Sequence, residues 1–192
     1  MQQEAETVIE EKQADALQPA PNPARTLYEW VETLIWCFLS VVILFTFLLR
    51  VVGVKGSSMT DTLRDGDRLV TIDYVVPKYG DIVAVTQPKN LNEPLVKRVI
   101  ATEGQTVDID FNAGVVYVDG VKLEEAYTLT PTNVRGDINY PAKVPAGHVF
   151  VMGDNRNGSK DSRFKEVGMV DVRYIFGRIV LRLFPFNSVQ LF

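Results

Sequence analysis

Apolar and polar positions follow three different patterns along the chain. Up to about residue 25, Glu, Gln, Ala and Pro succeed one another with no apolar period, ending in Pro19, Pro21 and Pro23. Such a stretch buries too little apolar surface to offset the entropy of ordering, so residues 1–28 are expected to form a disordered tail. From Thr33 to Leu49 no residue is charged, and Val51 and Val52 past Arg50 extend the run to the roughly 20 residues that cross a bilayer core. One transmembrane helix over 29–52 is predicted. Tyr28, Trp30 and Trp36 sit near its start, where amphipathic rings favour the headgroup layer, and Arg50 can snorkel at its far end. A removable targeting segment is the competing reading; the long polar part ahead of the run and the lack of a small-x-small pattern after it speak against that. Arg25 precedes the run while Arg50 and Lys55 follow it, so the balance of positive charge leaves the orientation open.

Beyond Gly53 the texture changes to short β-branched runs between Gly, Pro, Asn and Asp: RLVTIDYVV, DIVAV, LVKRVIA, TVDID, VVYVDG, HVFVMG and YIFGRIVLRLF. Strand signals this closely spaced, with no long amphipathic helical period between them, predict a mainly β domain over 53–192. An antiparallel sandwich or partly open barrel is expected, behind a single N-terminal transmembrane helix. TVDIDFNAGVVYVDGVKLEE reads as a hairpin with one turn at Asn112 to Gly114 and a tight second one at Asp119-Gly120. The apolar end, IVLRLFPFNSVQLF, reads as buried final strands, with a lipid-facing patch as the alternative.

Composition removes several function classes. The formal net charge is -4, without the basic footprint that nucleic-acid binding needs. Cys37 is the only cysteine and lies in the apolar run, which excludes a disulfide framework and a thiolate metal cluster. His148 is the only histidine, so a His-ligated zinc site cannot be assembled, and no cofactor is called for.

Three segments carry candidate chemistry. In VKGSSMTDTLRDGDRLV, Ser58 precedes a methionine and follows Gly56 by two residues, a setting in which a serine can act as nucleophile. On this motif alone, Ser57 and Ser58 capping the next turn is an equally open reading. In LVKRVIATEG, strand alternation places Leu95, Lys97 and Val99 on one face and Val96, Arg98 and Ile100 on the other. Desolvation among apolar neighbours would lower the Lys97 pKa toward neutrality, the condition for an amine to accept a serine proton. The plainer alternative is an edge-strand lysine with its head in water. In VMGDNRNGSKDSRF, Asp154, Asn155, Arg156, Ser159, Asp161, Ser162 and Arg163 crowd the end of an apolar strand, better suited to bracing a site than to solvation. A conventional triad of Ser58, His148 and an aspartate is a further option, but His148 sits between a Pro-Ala-Gly turn and a strand, a common place for a surface histidine.

Together these segments resemble signal peptidase I. GSSMTDTL looks like that family's nucleophile box, usually written Ser-Met-x-Pro-Thr-Leu; GDIVAV at Gly80 to Val85 is similar to its strand box, VKRVIATEGQTV to its lysine box, and GDNRNGSKDSR to its last box. All four stand in the family's order after an N-terminal apolar run. The chain departs from the pattern at Asp61, where the family usually has proline, which removes a constraint on the turn after Ser58. It departs again at Gly56, where some members have a serine hydroxyl for the oxyanion.

The resemblance implies a membrane-bound endopeptidase of bacterial cells that removes signal peptides from secretory preproteins. It implies a single pass, a cytoplasmic tail and an extracytoplasmic catalytic domain near the lipid bilayer and the secretion translocon. Ser58 is then the nucleophile and Lys97 the general base, Ser159 orients the Lys97 amine, and Asp154, Asn155, Asp161 and Arg163 brace the last loop. The oxyanion would rest on the backbone N–H of Ser58, with help from near Gly56. A preference for small residues one and three positions before the cut would come from shallow pockets formed by Val52, Val54, Met59 and Leu63 with Ala84, Leu95 and Val96. Two rival readings remain: a self-cleaving repressor-type serine-lysine protease, which needs a DNA-binding domain, and an inactive membrane-tethered β domain that binds peptides or partner subunits.

Overall fold

The computed structural model describes residues 23–47, 49–73, 76–86 and 94–192. Most of the expected tail, residues 1–22, therefore lies outside the described residues. Helix α1 runs Pro23–Phe47. Proline suits the first helical position because its missing N–H is unpaired there in any case, and an Arg25–Glu29 pair one turn apart supports the opening turn. Its Pro23–Leu44 portion is long and apolar enough to cross a membrane, and Trp30, Leu34 and Phe38 are exposed on its surface.

The helix thus begins and ends earlier than the 29–52 expected from hydropathy. The difference at its end has a clear cause: Leu49–Gly53 is strand β1, in which Arg50 pairs with Thr71 and Val52 with Leu69 of β2, Arg68–Ile72. β-branched Val51 and Val52 satisfy both a membrane pattern and a strand pattern, and the available partner strand decides between them.

Residues 46–192 form one compact unit built of two antiparallel sheets. The 8-stranded sheet contains β1, β2, β3 (Ile82–Val85), β4 (Leu95–Thr102), β9 (His148–Met152), β10 (Val170–Asp171), β11 (Ile175–Phe184) and β12 (Gln190–Leu191). Its order is β1-β2-β11-β3-β4-β9-β10, with β12 paired to β11. The 4-stranded sheet has the order β7-β6-β5-β8, from β5 (Thr106–Asp110), β6 (Val115–Val118), β7 (Val121–Lys122) and β8 (Ala142–Lys143). In β5, buried Val107 and Ile109 alternate with exposed Asp108 and Asp110, the period-two signature of a half-buried strand. The β6–β7 turn has positive φ at Asp119 and Gly120, 50° and 78°, as a two-residue hairpin turn of primed type requires.

Three apolar clusters hold the unit together. Val107, Ile109, Val116 and Val118 of the smaller sheet pack with Ile100, Phe150 and Met152 of β4 and β9. Val83, Val85, Val99, Val149 and Val151 pack with Val167 and Val170. The third cluster positions chemistry: Val54, Met59 and Leu63 pack on Leu69, Ile82, Ala84 and Ile179, which draws the segment after β1 across the sheet toward β4. Of the final segment expected to be buried, Ile179 is 1% exposed, while Phe186 and Leu191 beyond it are 76% and 79% exposed; Leu191 lies on β12, which pairs only with Leu181 and Arg182 of β11.

The 123–141 connection between β7 and β8 straps the loop after β9. Glu125 accepts from both terminal nitrogens of Arg156, at 2.7 and 2.5 Å, and Thr132 accepts a third bond from that guanidinium at 2.8 Å. Gly136 passes so close that an added Cβ would lie 2.2 Å from the Arg163 carbonyl oxygen. Removing one partner of a buried ion pair strands the other charge. Glu125→Ala should therefore lower the stability of the β domain by about 3 kcal/mol, read as a shift of the urea midpoint at unchanged slope.

Candidate active site

Ser58 lies on the segment that the Met59 and Leu63 contacts pull over the sheet. Its approach is set by Gly56, whose φ of +82° only glycine adopts without strain. The carbonyl of Ser58 accepts from the Asn155 backbone N–H at 3.1 Å, and the Ser57 carbonyl accepts from Asn155 Nδ2 at 3.1 Å. Lys97 comes from β4, where its cross-strand neighbour is Val83; Val83 and Val99 are fully buried. Lys97 is 2% exposed. Its Nζ lies 2.7 Å from Ser58 Oγ and donates to the Val96 carbonyl at 3.1 Å. Burial pushes the Lys97 amine down from the ordinary lysine value of 10.5 to about 8. Asp161 and Asp154 pull the other way and Arg163 adds to the lowering. Desolvation wins because each nearby carboxylate already faces a guanidinium.

Each of those pairs is closed by two hydrogen bonds. Arg98 bonds both oxygens of Asp154, at 2.8 and 2.7 Å, and donates to the Gly80 carbonyl at 2.8 Å. Asp154 also accepts from the Thr62 hydroxyl, tying the turn after Ser58 to the loop after β9. Arg163 bonds both oxygens of Asp161, at 2.8 and 2.9 Å, and caps the carbonyls of Val134 and Arg156. Asp161 also accepts from the Gly153 N–H at 3.0 Å. Asn155 connects this loop to the Ser57 and Ser58 carbonyls.

Several expected positions differ. Ser159 Oγ makes no hydrogen bond with Lys97; it is buried without a partner, and the amine spends its contacts on Ser58 and Val96. The Gly56 N–H is not free for an oxyanion, because it donates to Asp65 Oδ1 at 2.7 Å to close its own turn. The Ser58 N–H has no acceptor among the described residues. Leu63 is fully buried in the cluster beneath the segment rather than lining a pocket, since the turn that bonds its N–H to the Met59 carbonyl points it inward. Val52, Val54, Met59, Ala84, Leu95 and Val96 do line one cleft with Ser58 and Lys97, of about 360 Å³. His148 lines a different cavity and bonds the Ala146 carbonyl at 2.8 Å. At Asp61, where the resemblance expected proline, the preceding peptide bond is cis.

A family profile described as signal peptidase, peptidase S26, matches residues 27–184. A probable signal peptidase I-1 of Synechocystis sp. is 37% identical over 179 residues, covering 87% of each chain. Signal peptidase I of Bacillus licheniformis is 35% identical over 88% of this chain and 95% of its own. Signal peptidase I T of Bacillus subtilis is 34% identical over 95% of this chain and 98% of its own. The chain belongs to the signal peptidase S26 family. It is a peptidase.

Within this signal peptidase, four contributors to the site had escaped the sequence. Arg98 shows one retrospective signal, a charge in an otherwise apolar strand, which only an internal partner makes tolerable. Phe176 and Pro94 complete the cleft, yet the sequence reads them as ordinary strand and loop residues. Gly153 entered only as the first residue of the last box, with no role of its own, yet an added Cβ there would lie 2.4 Å from the Ser58 carbonyl and 2.2 Å from Ser159 Oγ. Gly153→Ala must push the Ser58 backbone away from Lys97. Misplacement of about 1 Å costs on the order of 10²-fold in rate; a drop of that size in kcat, with thermal unfolding still cooperative, is the expected result.

Proposed function

We propose that this peptidase is a single-pass, membrane-bound signal peptidase I in which Ser58 and Lys97 form the catalytic dyad. The observation that supports it most directly is the 2.7 Å separation of Ser58 Oγ from a buried amine. A neutral Lys97 accepts the Ser58 proton as Oγ attacks the scissile carbonyl, and then returns it to the departing amine, leaving an acyl-enzyme for water to hydrolyse. The unpaired Ser58 N–H is the donor for the oxyanion. The steps above use the Lys97 amine, the Ser58 hydroxyl, a backbone N–H and a water.

The leader peptide binds extended between the 53–56 segment and the start of β4, adding a strand to each. Its small residues one and three positions before the cut sit in the cleft of Val52, Val54, Ala84 and Val96. Helix α1 is the membrane anchor, with the tail cytoplasmic and the peptidase domain outside, where leaders emerging from the translocon present their cleavage sites. The exposed Phe186 and Leu191 add apolar surface suited to a lipid interface.

Detergent-solubilised protein incubated with a preprotein should release the mature chain with a single new N-terminus. Ser58→Ala and Lys97→Ala should each abolish that product; cleavage retained in either variant ends the dyad reading, and an inactive peptide-binding domain predicts none from wild type. The rate should rise with pH through an apparent pKa near 8 and level off above it, as the amine loses its proton.

Stability carries the same signature with a defined sign. The folded pKa of about 8 lies below the ordinary 10.5, so between those values the unfolded chain binds the extra proton and stability rises with pH. The destabilisation is complete below pH 8 and gone above about 10.5. The gap corresponds to about 3 kcal/mol. Lys97→Met should raise the thermal midpoint at pH 6 by several degrees, and the gain should shrink toward pH 10.

A further inference from the structure

Arg98 follows Lys97 on β4, so alternation sends its side chain to the other face of that strand. All three of its nitrogens are spent there in the guanidinium plane, Nε and Nη2 on Asp154 and Nη1 on the Gly80 carbonyl. A guanidinium has no donor out of its plane, so those bonds leave its two flat faces without a partner. Tyr127, from the 123–141 strap, covers one of them, with Arg98 Cζ 4.0 Å from the ring centroid. A second guanidinium approaches the same ring, Arg156 at 5.8 Å. Arg156 is the ion-pair partner of Glu125 and donates from Nε to the Gly153 carbonyl at 3.2 Å.

The Tyr127 hydroxyl completes the arrangement by donating to Glu125 Oε1 at 2.9 Å. Burial, and after it the Glu125 charge, push that phenol above the ordinary tyrosine range, so it stays a donor. One half-buried ring thus touches two ion pairs, each with one member in the loop after β9. The electron-rich face of a tyrosine attracts a cation laid over it. Without that cover Arg98 is free to tilt, and a two-bond pair with a carboxylate depends on its orientation.

We propose that Tyr127 is a positioning residue for the reaction at Ser58: its ring holds Arg98 against Asp154, which fixes the turn after Ser58 and limits the pull of Asp154 on the Lys97 amine. The inference rests on the Ser58 and Lys97 reading above. Tyr127 does not line the cleft, so it acts through Arg98 alone. Asp154 passes the restraint on, because it accepts from the Thr62 hydroxyl while its neighbour Asn155 holds the Ser57 and Ser58 carbonyls. The charged groups around the Lys97 amine are Asp154, Asp161 and Arg163 of the loop after β9, Arg98 of its own strand and the exposed Lys55 of the Ser58 segment. β3 brings only apolar Val83 against it. Arg98 is the partner that offsets Asp154, so loosening it leaves the amine in a more negative surrounding, which favours the ammonium form.

The test measures kcat, KM and the pH profile of preprotein cleavage by full-length enzyme in detergent, for wild type, Tyr127→Phe and Tyr127→Leu. Tyr127→Phe keeps the ring and loses only the bond to Glu125; its kcat and apparent pKa should match wild type. Tyr127→Leu should lower kcat roughly tenfold at unchanged KM and raise the apparent pKa by roughly one unit. A side chain that only stabilises the strap would lower the thermal midpoint and leave the pH profile of the folded enzyme where it was. An unmoved apparent pKa in Tyr127→Leu, or an equal loss of kcat in Tyr127→Phe, overturns the assignment. Should Tyr127→Leu fail to fold, Tyr127→pentafluorophenylalanine keeps the shape of the ring and reverses its charge distribution. The same loss and shift are then expected, and wild-type kinetics from that variant overturn the role. Where Tyr127 fails these tests but cleavage is lost in Ser58→Ala, the reading of Ser58 and Lys97 stands; cleavage that persists in Ser58→Ala sinks both.

Discussion

A lysine amine removed almost wholly from water, 2.7 Å from a serine hydroxyl, is the contact around which the β domain is arranged. An ammonium in that position is unstable, and the strain is relieved by holding the proton less tightly. For the amine to remain uncompensated, charges around it must already be matched. Arg98 with Asp154 and Arg163 with Asp161 supply that condition as bidentate pairs. Burial is the largest influence on Lys97 and sets the direction, against Asp161 and Asp154 and with Arg163.

The same pairs fix distances as well as charge. Asp154 joins β4 to the turn after Ser58 through Arg98 and Thr62, and Asn155 holds the Ser57 and Ser58 carbonyls. Asp161 and Arg163 then lock the loop that carries both residues to Gly153 and to the 123–141 strap. A serine and a lysine on two segments far apart in sequence would drift without such cross-links. Gly153 shows how little slack remains, since even a methyl group would collide with the Ser58 carbonyl.

In this signal peptidase these cross-links sit beside two cavities. The cleft next to Ser58 and Lys97 is small and mostly apolar, while a second cavity that shares Phe176 is larger and carries charges of both signs, Arg50, Asp73, Glu103 and Arg173.

Local pattern carried the strands, the β6–β7 turn and the four boxes, because alternation, turn residues and short motifs are properties of neighbouring residues. Lys97 was legible for the same reason: its apolar neighbours Leu95 and Val99 lie on its own strand. The end of the helix was not, since Val51 and Val52 suit lipid and sheet equally and only pairing with β2 settles the matter. Tertiary structure alone placed β11 between β2 and β3, bonded the Gly56 N–H to Asp65, turned Leu63 inward and brought Glu125 onto Arg156. Each of these depends on groups far apart in the chain. No spacing rule encodes such meetings, because they arise only when the sheet closes and the buried charges must find partners.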